Sequence, residues 1–368
     1  MGFSILRQEP HFDFISWRRI AYIASLAVVL LGVFGFFWRG GLRYGVDFAG
    51  GVAVQAAFAS PAGDERIKAA LAMAELPGLA VQQFGDGGRD YLIRFSTPDI
   101  PAENIRATVL DTLTGAFPDN AVTIQRLEVV GPKVGADLRN AALGAMYYAI
   151  LLITVYISGR FEHRWFVAAF MAAALSGGVY AASLLGVNMV WRVVIALILT
   201  LIICWKLSLN FALGAMVSLL HDVILTVGLL VLMGKEFDLN VIAALLTVIG
   251  YSLNDTIIIF DRIRENLRNQ KGKHLQPMTQ IVNDSCNQTL SRTILTSGTT
   301  TVAALSLFVL GGGVIHDFAL TMLIGVIVGT YSSIFVASPV LLVFGDTAGY
   351  IAPVREAEYE RPGEHGVV

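Results

Sequence analysis

Charge is scarce in this chain. Only 15% of its 368 residues are Asp, Glu, Lys or Arg, against about 25% in soluble domains. With 55% hydrophobic residues and a mean hydropathy of +0.66, the composition excludes a soluble globular protein. It predicts a polytopic α-helical membrane protein. Cysteine is nearly absent: Cys204 sits in an apolar run and Cys286 in a polar stretch, so no disulfide framework or thiolate metal site is expected. No Gly-x-x-x-x-Gly-Lys-Ser/Thr cradle occurs, which argues against nucleotide-driven transport. The six histidines fall at no metal-ligand spacing, and no nucleophile stands beside a positioned base. The chain is therefore expected to be no enzyme and to hold no cofactor. Its basic residues gather at the edges of apolar runs rather than on one face, so no nucleic-acid partner is expected.

What is present is a series of membrane-length apolar segments. The first is Ile20–Trp38, followed by Arg39-Gly40-Gly41-Leu42-Arg43 rather than a small-residue cleavage site, so an uncleaved signal anchor is expected. Seven more follow at about Asn140–Ser158, Trp165–Leu185, Met189–Trp205, Phe211–Met233, Leu239–Phe260, Thr293–Leu310 and His316–Phe344, each near the length needed to cross a bilayer. The total is about eight. Under this count Arg7, Arg18, Arg19, Arg160, Arg164, Lys206, Arg262, Arg264, Arg268, Lys271 and Lys273 share one side, which places both termini in the cytoplasm. Tyr44–Val134 is then the one long extracytoplasmic stretch. It reads as a strand over Val46–Phe58 broken at Gly50-Gly51, a helix over Asp64–Glu75, and strands at Leu79–Phe84 and Tyr91–Phe95 around Gly85-Asp86-Gly87-Gly88. A helix over Pro101–Leu113 and a strand over Ala121–Val130 complete it. The order β-α-β-β-α-β predicts an α+β ferredoxin-like domain.

The expected division is a cytoplasmic N-terminus at 1–19, a first span at 20–38, the ferredoxin-like domain at 39–135, a helix bundle at 136–345 and a cytoplasmic tail at 346–368. Phe166–Tyr180 lines up with Phe211–Leu225, matching at Phe166/Phe211, Met171/Met216 and Leu175/Leu220. A tandem duplication of one hairpin would produce that pattern, and so would the chance likeness of apolar segments.

Charged groups inside these runs are the candidate chemistry. An ionised carboxylate within a bilayer costs roughly 2.5–3.5 kcal/mol on insertion scales. Asp255 lies in Gly250-Tyr251-Ser252-Leu253-Asn254-Asp255-Thr256, and its short side chain cannot snorkel out as Lys or Arg does. It is expected to face the bundle interior beside Asn254 and Ser252 as a titrating group. Arg292 opens the next apolar run and, being permanently cationic, fits either a partner for Asp255 or a side chain snorkelling out to headgroups. Asp222, with His221 beside it, lies near the middle of Phe211–Met233 and fits either a proton relay or a structural hydrogen-bonded pair. Ser297-Gly298-Thr299-Thr300-Thr301 fits either hydroxyls lining a wet path or, the favoured reading, hydroxyls back-bonding to their own helix. Gly325 and Gly329 form a small-residue face for close helix packing.

Four motifs together resemble the SecF subunits of the bacterial Sec protein-export machinery, in the SecD/SecF family. They are Tyr44-Gly45-Val46-Asp47-Phe48-Ala49-Gly50-Gly51, Val130-Gly131-Pro132-Lys133-Val134-Gly135, Gly250–Asn266, and Ser291-Arg292-Thr293 through Thr300. The resemblance implies a multi-pass inner-membrane protein that uses the proton motive force and pairs with SecD. It implies work beside SecYEG, SecA and YajC to draw unfolded preproteins across the membrane. It also implies functional roles for the intramembrane Asp and Arg, which fall on Asp255 and Arg292. The family is expected to have six spans, in which an Arg-Phe-Glu loop leads straight into a Phe-Ala-Leu-Gly span. Here Arg160-Phe161-Glu162 and Phe211-Ala212-Leu213-Gly214 are separated by an extra hairpin at about 165–206. The readings that compete with a translocation subunit are a small-molecule exporter, related to the resistance-nodulation-division bundle, and a non-catalytic scaffold for a channel. The coupling ion, H⁺ or Na⁺, stays open at this point.

Overall fold

The computed structural model describes residues 11–74, 76–84, 87–96, 102–270, 276–311 and 313–344. Arg7, Glu75, Gly85-Asp86, Pro101, Lys271, Lys273 and the expected tail from residue 346 on lie outside the described residues.

Among the described residues eight helices are long and apolar enough to cross a membrane. The first, α1 (Arg18–Trp38), leads into a small sheet domain and then into the other seven. Before the domain, the expected strand at Val46 is instead one helical turn, α2 (Val46–Ala49), and only Gly51–Phe58 forms β1. The reason is steric. At Gly50 (φ +76°) an added Cβ would come within 2.8 Å of Pro132 Cα, so the chain turns sharply where lead-in and exit segments cross. The rest of the domain is α3 (Asp64–Ala72), β2 (Ala80–Phe84), β3 (Asp90–Phe95), α4 (Ala102–Ala116) and β4 (Val122–Val130). Its sheet order is β2-β3-β1-β4 with every neighbouring pair antiparallel. Alternate residues Val52, Val54, Ala56 and Phe58 of β1 pack under α3 and α4 against Ile67, Leu71, Ile105 and Val109. The domain thus carries its own core on one face of the sheet.

The opposite sheet face looks toward the bundle across a cleft of about 740 Å³, whose walls include Gln55, Gln82, Arg94, Glu128, Glu236 and Asp317. Arg94 of β3 forms an ion pair across it with Glu236.

The bundle comprises α5 (Pro132–Glu162), α6 (Trp165–Leu184), α7 (Met189–Lys206), α8 (Asn210–Leu232), α9 (Leu239–Asn269), α10 (Met278–Leu310) and α11 (Gly313–Ser332). Two helices exceed their expected spans: α9 runs on past Phe260, and α10 begins 15 residues before Thr293. Arg262, Asn266, Ser285 and Gln288 hydrogen-bond between the two extensions, which makes them one polar helix pair. The last span is not one regular helix. Pro339 has no N–H for the carbonyl four residues back, and the chain loosens into a π-turn at Ser333–Ala337 before tightening into a 3₁₀ turn at Leu341–Phe344.

Helices α6 and α7 form the extra hairpin. It stands aside from the connection it interrupts: Glu162 at the end of α5 accepts the Phe211 N–H of α8 at 2.9 Å, and the Phe161 and Phe211 rings stack at 5.4 Å. The ends of the hairpin meet where Arg164 donates to the Leu207 carbonyl at 2.7 Å. Trp165 packs flat on Gly159, where a Cβ would clash.

Candidate functional site

The central helices cross with small residues at their contacts. A Cβ on Gly325 would strike Val248, and one on Gly329 would strike Ser252, so α11 lies directly on α9. Gly32 of α1 faces Gly228 of α8 in the same way, a Cβ there coming within 2.8 Å of Gly228 Cα. Backbones this close bring short polar side chains on five helices within reach of one another.

Asp222 of α8 is 1% exposed. It accepts hydrogen bonds from the Ser252 hydroxyl of α9 (2.5 Å) and the Ser332 hydroxyl at the end of α11 (2.8 Å). Its other oxygen lies 3.0 Å from His221 Nδ1. His221 Nε2 lies 2.9 Å from Ser25 Oγ of α1, Ser25 lies 3.0 Å from the Tyr331 hydroxyl, and Tyr331 donates to the Ala21 carbonyl at 2.7 Å. The pair is thereby joined through Ser25 and Tyr331 to α1 and α11.

Asp255, also 1% exposed, sits one turn along α9 from Ser252. Its oxygens accept from Ser297 (3.0 Å) and Thr296 (3.4 Å) of α10, and Ser297 in turn accepts from Thr330 of α11 at 2.7 Å. Two buried carboxylates therefore share a polar belt in which Ser252 of α9 and the Thr330–Ser332 stretch of α11 lie between them. The belt lies beside the π-turn, a kind of helix irregularity that recurs at functional sites.

Several expectations need correction. Arg292 is close enough to act electrostatically on Asp255, but its side chain is exposed, and among the described residues no ion pair joins the two. Hydroxyls occupy the places next to the carboxylate, while a long guanidinium one turn earlier on α10 points out of the helix pack. Asn254 is exposed as well, lying about 100° round α9 from Asp255. Ser297 does more than back-bond, since it joins Asp255 to Thr330, whereas Thr299 and Thr300 bond only their own helix. Sequence reasoning missed Ser25, Thr330, Tyr331 and Ser332. The available signal was the polar run Thr330-Tyr331-Ser332-Ser333 inside an otherwise apolar span. Among the described residues no group of three or more His, Cys, Asp or Glu is placed to hold a metal ion.

At the domain end of the bundle, Asp238 caps α9 by accepting the Val241 N–H at 2.8 Å. Burial pushes its acid up from the ordinary carboxylate range, with Asp47 and Asp317 adding to the effect. Burial likewise pushes Arg94 down, against the pull of Asp317 and Asp238.

Comparison with known proteins locates this architecture. A family model described as protein export membrane protein SecD/SecF, C-terminal, matches residues 109–202 and 177–347, two stretches that overlap within the hairpin. The protein translocase subunit SecF of Desulfurispirillum indicum is 38% identical over 357 residues, covering 96% of this chain and 98% of its own length. That of Magnetococcus marinus is 41% identical over 342 residues, covering 92% and 94%. The crystal structure of SecDF, a translocon-associated membrane protein from Thermus thermophilus, superposes with a TM-score of 0.66 at 30% identity. It aligns with 91% of this chain, which spans only 39% of the SecDF chain. Together with the apolar helices, these matches make the chain a multi-pass membrane protein.

Proposed function

The chain belongs to the SecD/SecF family of protein-export membrane proteins, and on that premise we propose that it serves the Sec preprotein translocase as a proton-driven accessory subunit. In this reading it pairs with SecD in the bacterial inner membrane, with both termini cytoplasmic and the sheet domain outside, and works beside SecYEG, SecA and YajC. Asp255 takes up and releases the coupling proton, Asp222 and His221 carry a second proton within the same belt, and Arg292 biases the charge of Asp255 from the helix surface.

The observation that carries this reading is the pair of carboxylates, each 1% exposed and each held by hydroxyls from neighbouring helices. Charging such a carboxylate in a bilayer costs roughly 2.5–3.5 kcal/mol. A proton falling through about 150 mV releases roughly 3.5 kcal/mol. The two match, so one acid cycling between neutral and ionised states suffices to bias a helix rearrangement without ATP. The hydroxyl setting favours H⁺ as the coupling ion, because a neutral Asp255 keeps its hydrogen-bond partners, whereas Na⁺ would need several more oxygen ligands around the same carboxylate.

Asp255→Asn keeps the shape and removes the titration. Export from inner-membrane vesicles carrying this variant is expected to lose its stimulation by the proton gradient, while the subunit still co-purifies with its SecD partner. Undiminished gradient-dependent export would leave the scaffold reading in its place.

A further inference from the structure

The α1–domain junction and the α8–α9 loop are stitched together backbone to backbone. Phe237 N–H donates to the Arg43 carbonyl (2.8 Å), Gly45 N–H donates to the Phe237 carbonyl (2.9 Å), and Tyr44 and Phe237 form a parallel bridge. Gly45 packs on Asp238, where a Cβ would lie 3.1 Å from the Asp238 Cβ. Phe237 itself is buried among Val241, Leu245 and Leu320. The last stitch is a side chain: Asp47 Oδ2 accepts the Leu239 N–H, the first of α9, at 3.0 Å. Helix α9 is therefore capped twice, by its own Asp238 and by a carboxylate belonging to the segment that leads into the sheet domain.

The same helix carries Ser252 and Asp255. From Leu239 to Asp255 is about 24 Å of continuous helix at 1.5 Å per residue, with no proline to absorb a displacement. On the domain side, the lead-in and exit segments meet at a tight joint: a Cβ on Gly135 would lie 3.0 Å from both Gly50 N and Phe48 O. The stitched loop, residues 235–239, thus has a rigid rod on one side and the base of a domain on the other.

We propose that Asp47 is a positioning residue that ties α9 to the sheet domain, so that a displacement of α9 at Asp255 reaches the domain through residues 235–239. The Arg94–Glu236 ion pair across the cleft is the second tie between the same two bodies. This inference rests on the reading of Asp255 given above, and it adds the route by which a proton event inside the bundle moves the domain.

The test uses the full chain in proteoliposomes made with the membrane complex it co-purifies with. Spin labels are placed on the exposed positions Lys68→Cys in α3 and Met233→Cys after α8; the native Cys204 and Cys286 are buried. Imposing a proton gradient is expected to shift the mean label distance by about 2 Å or more, the scale of helix displacements in switching proteins. Asp47→Ala is expected to reduce the shift, since the backbone stitches and the Arg94–Glu236 pair remain. Asp47→Asn, which keeps an acceptor oxygen for Leu239, is expected to retain it, and that separates a lost tie from a misfolded one. A shift undiminished in Asp47→Ala, or reduced equally in Asp47→Asn, overturns the positioning role of Asp47. No shift in the wild-type chain, while Asp255→Asn still abolishes gradient-dependent export, overturns the route but leaves the reading of Asp255 standing. Normal export by Asp255→Asn removes that reading, and this inference falls with it.

Discussion

Among single residues, His221 and Asp222 carry the sharpest stability prediction. Removing one partner of a buried pair strands the other and costs about 3–5 kcal/mol, whereas replacing both removes the stranded charge. Asp222→Asn and His221→Gln are therefore each expected to lower thermal stability in detergent more than the double variant does. Equal or additive losses in a double-mutant cycle would refute the coupling of the two side chains. Asp222 and Asp255 were legible as candidates because charge within an apolar run is conspicuous. His221 was legible as the neighbour of Asp222, but the hydroxyl partners on other helices were not. A serine or threonine in a membrane helix has the same composition signal whether it bonds its own carbonyl, as Thr299 does, or a carboxylate on another helix, as Ser297 and Ser332 do. For Arg292 the sequence left pairing and snorkelling both open: it emerges exposed on α10, acting on Asp255 electrostatically with no ion pair between them among the described residues.

Helix α9 shows how an element's ends decide its role. Asp238 is buried at the N-terminus of α9 with its acid pushed up, Asp47 and Asp317 adding to burial. A carboxyl raised in the folded state contributes stability that is fully present below its unfolded value, near pH 4, and lost as pH rises through its folded value. Asn caps helices as well as Asp and does not titrate. Asp238→Asn is thus expected to match the wild type in thermal unfolding near pH 4 and to exceed it near pH 8; a variant less stable than wild type near pH 8 would contradict this. The sequence pattern located this helix but ended it at Phe260, because hydropathy reports the membrane and not the helix. The polar extension beyond it is held by Asn266 and Gln288 contacts that only the fold brings together. The broken last span was visible only as excess length, with Pro339 the residue behind it.

For the whole molecule, the order of strands and helices in the sheet domain and the eight apolar helices were readable from periodicity and run length. The helical turn at Val46–Ala49 was not, since Gly50 bends in response to Pro132, a residue beyond the far end of the domain. The extra hairpin raised the question of whether it displaces the core, and the direct Glu162–Phe211 and Phe161–Phe211 contacts answer it. Deleting residues 165–206 is accordingly expected to yield a six-span protein that accumulates in the membrane and supports export. Rapid degradation of that variant, with the wild type stable, would mean that α6 and α7 are part of the necessary core.

The central claim is that Asp255 gains and loses a proton inside the bundle, and infrared difference spectroscopy of the protein in lipid tests it most directly. Titrating across the working range is expected to reveal a carboxylic-acid carbonyl band giving way to carboxylate bands, with that exchange absent from Asp255→Asn. A difference spectrum identical in the two proteins would contradict the account.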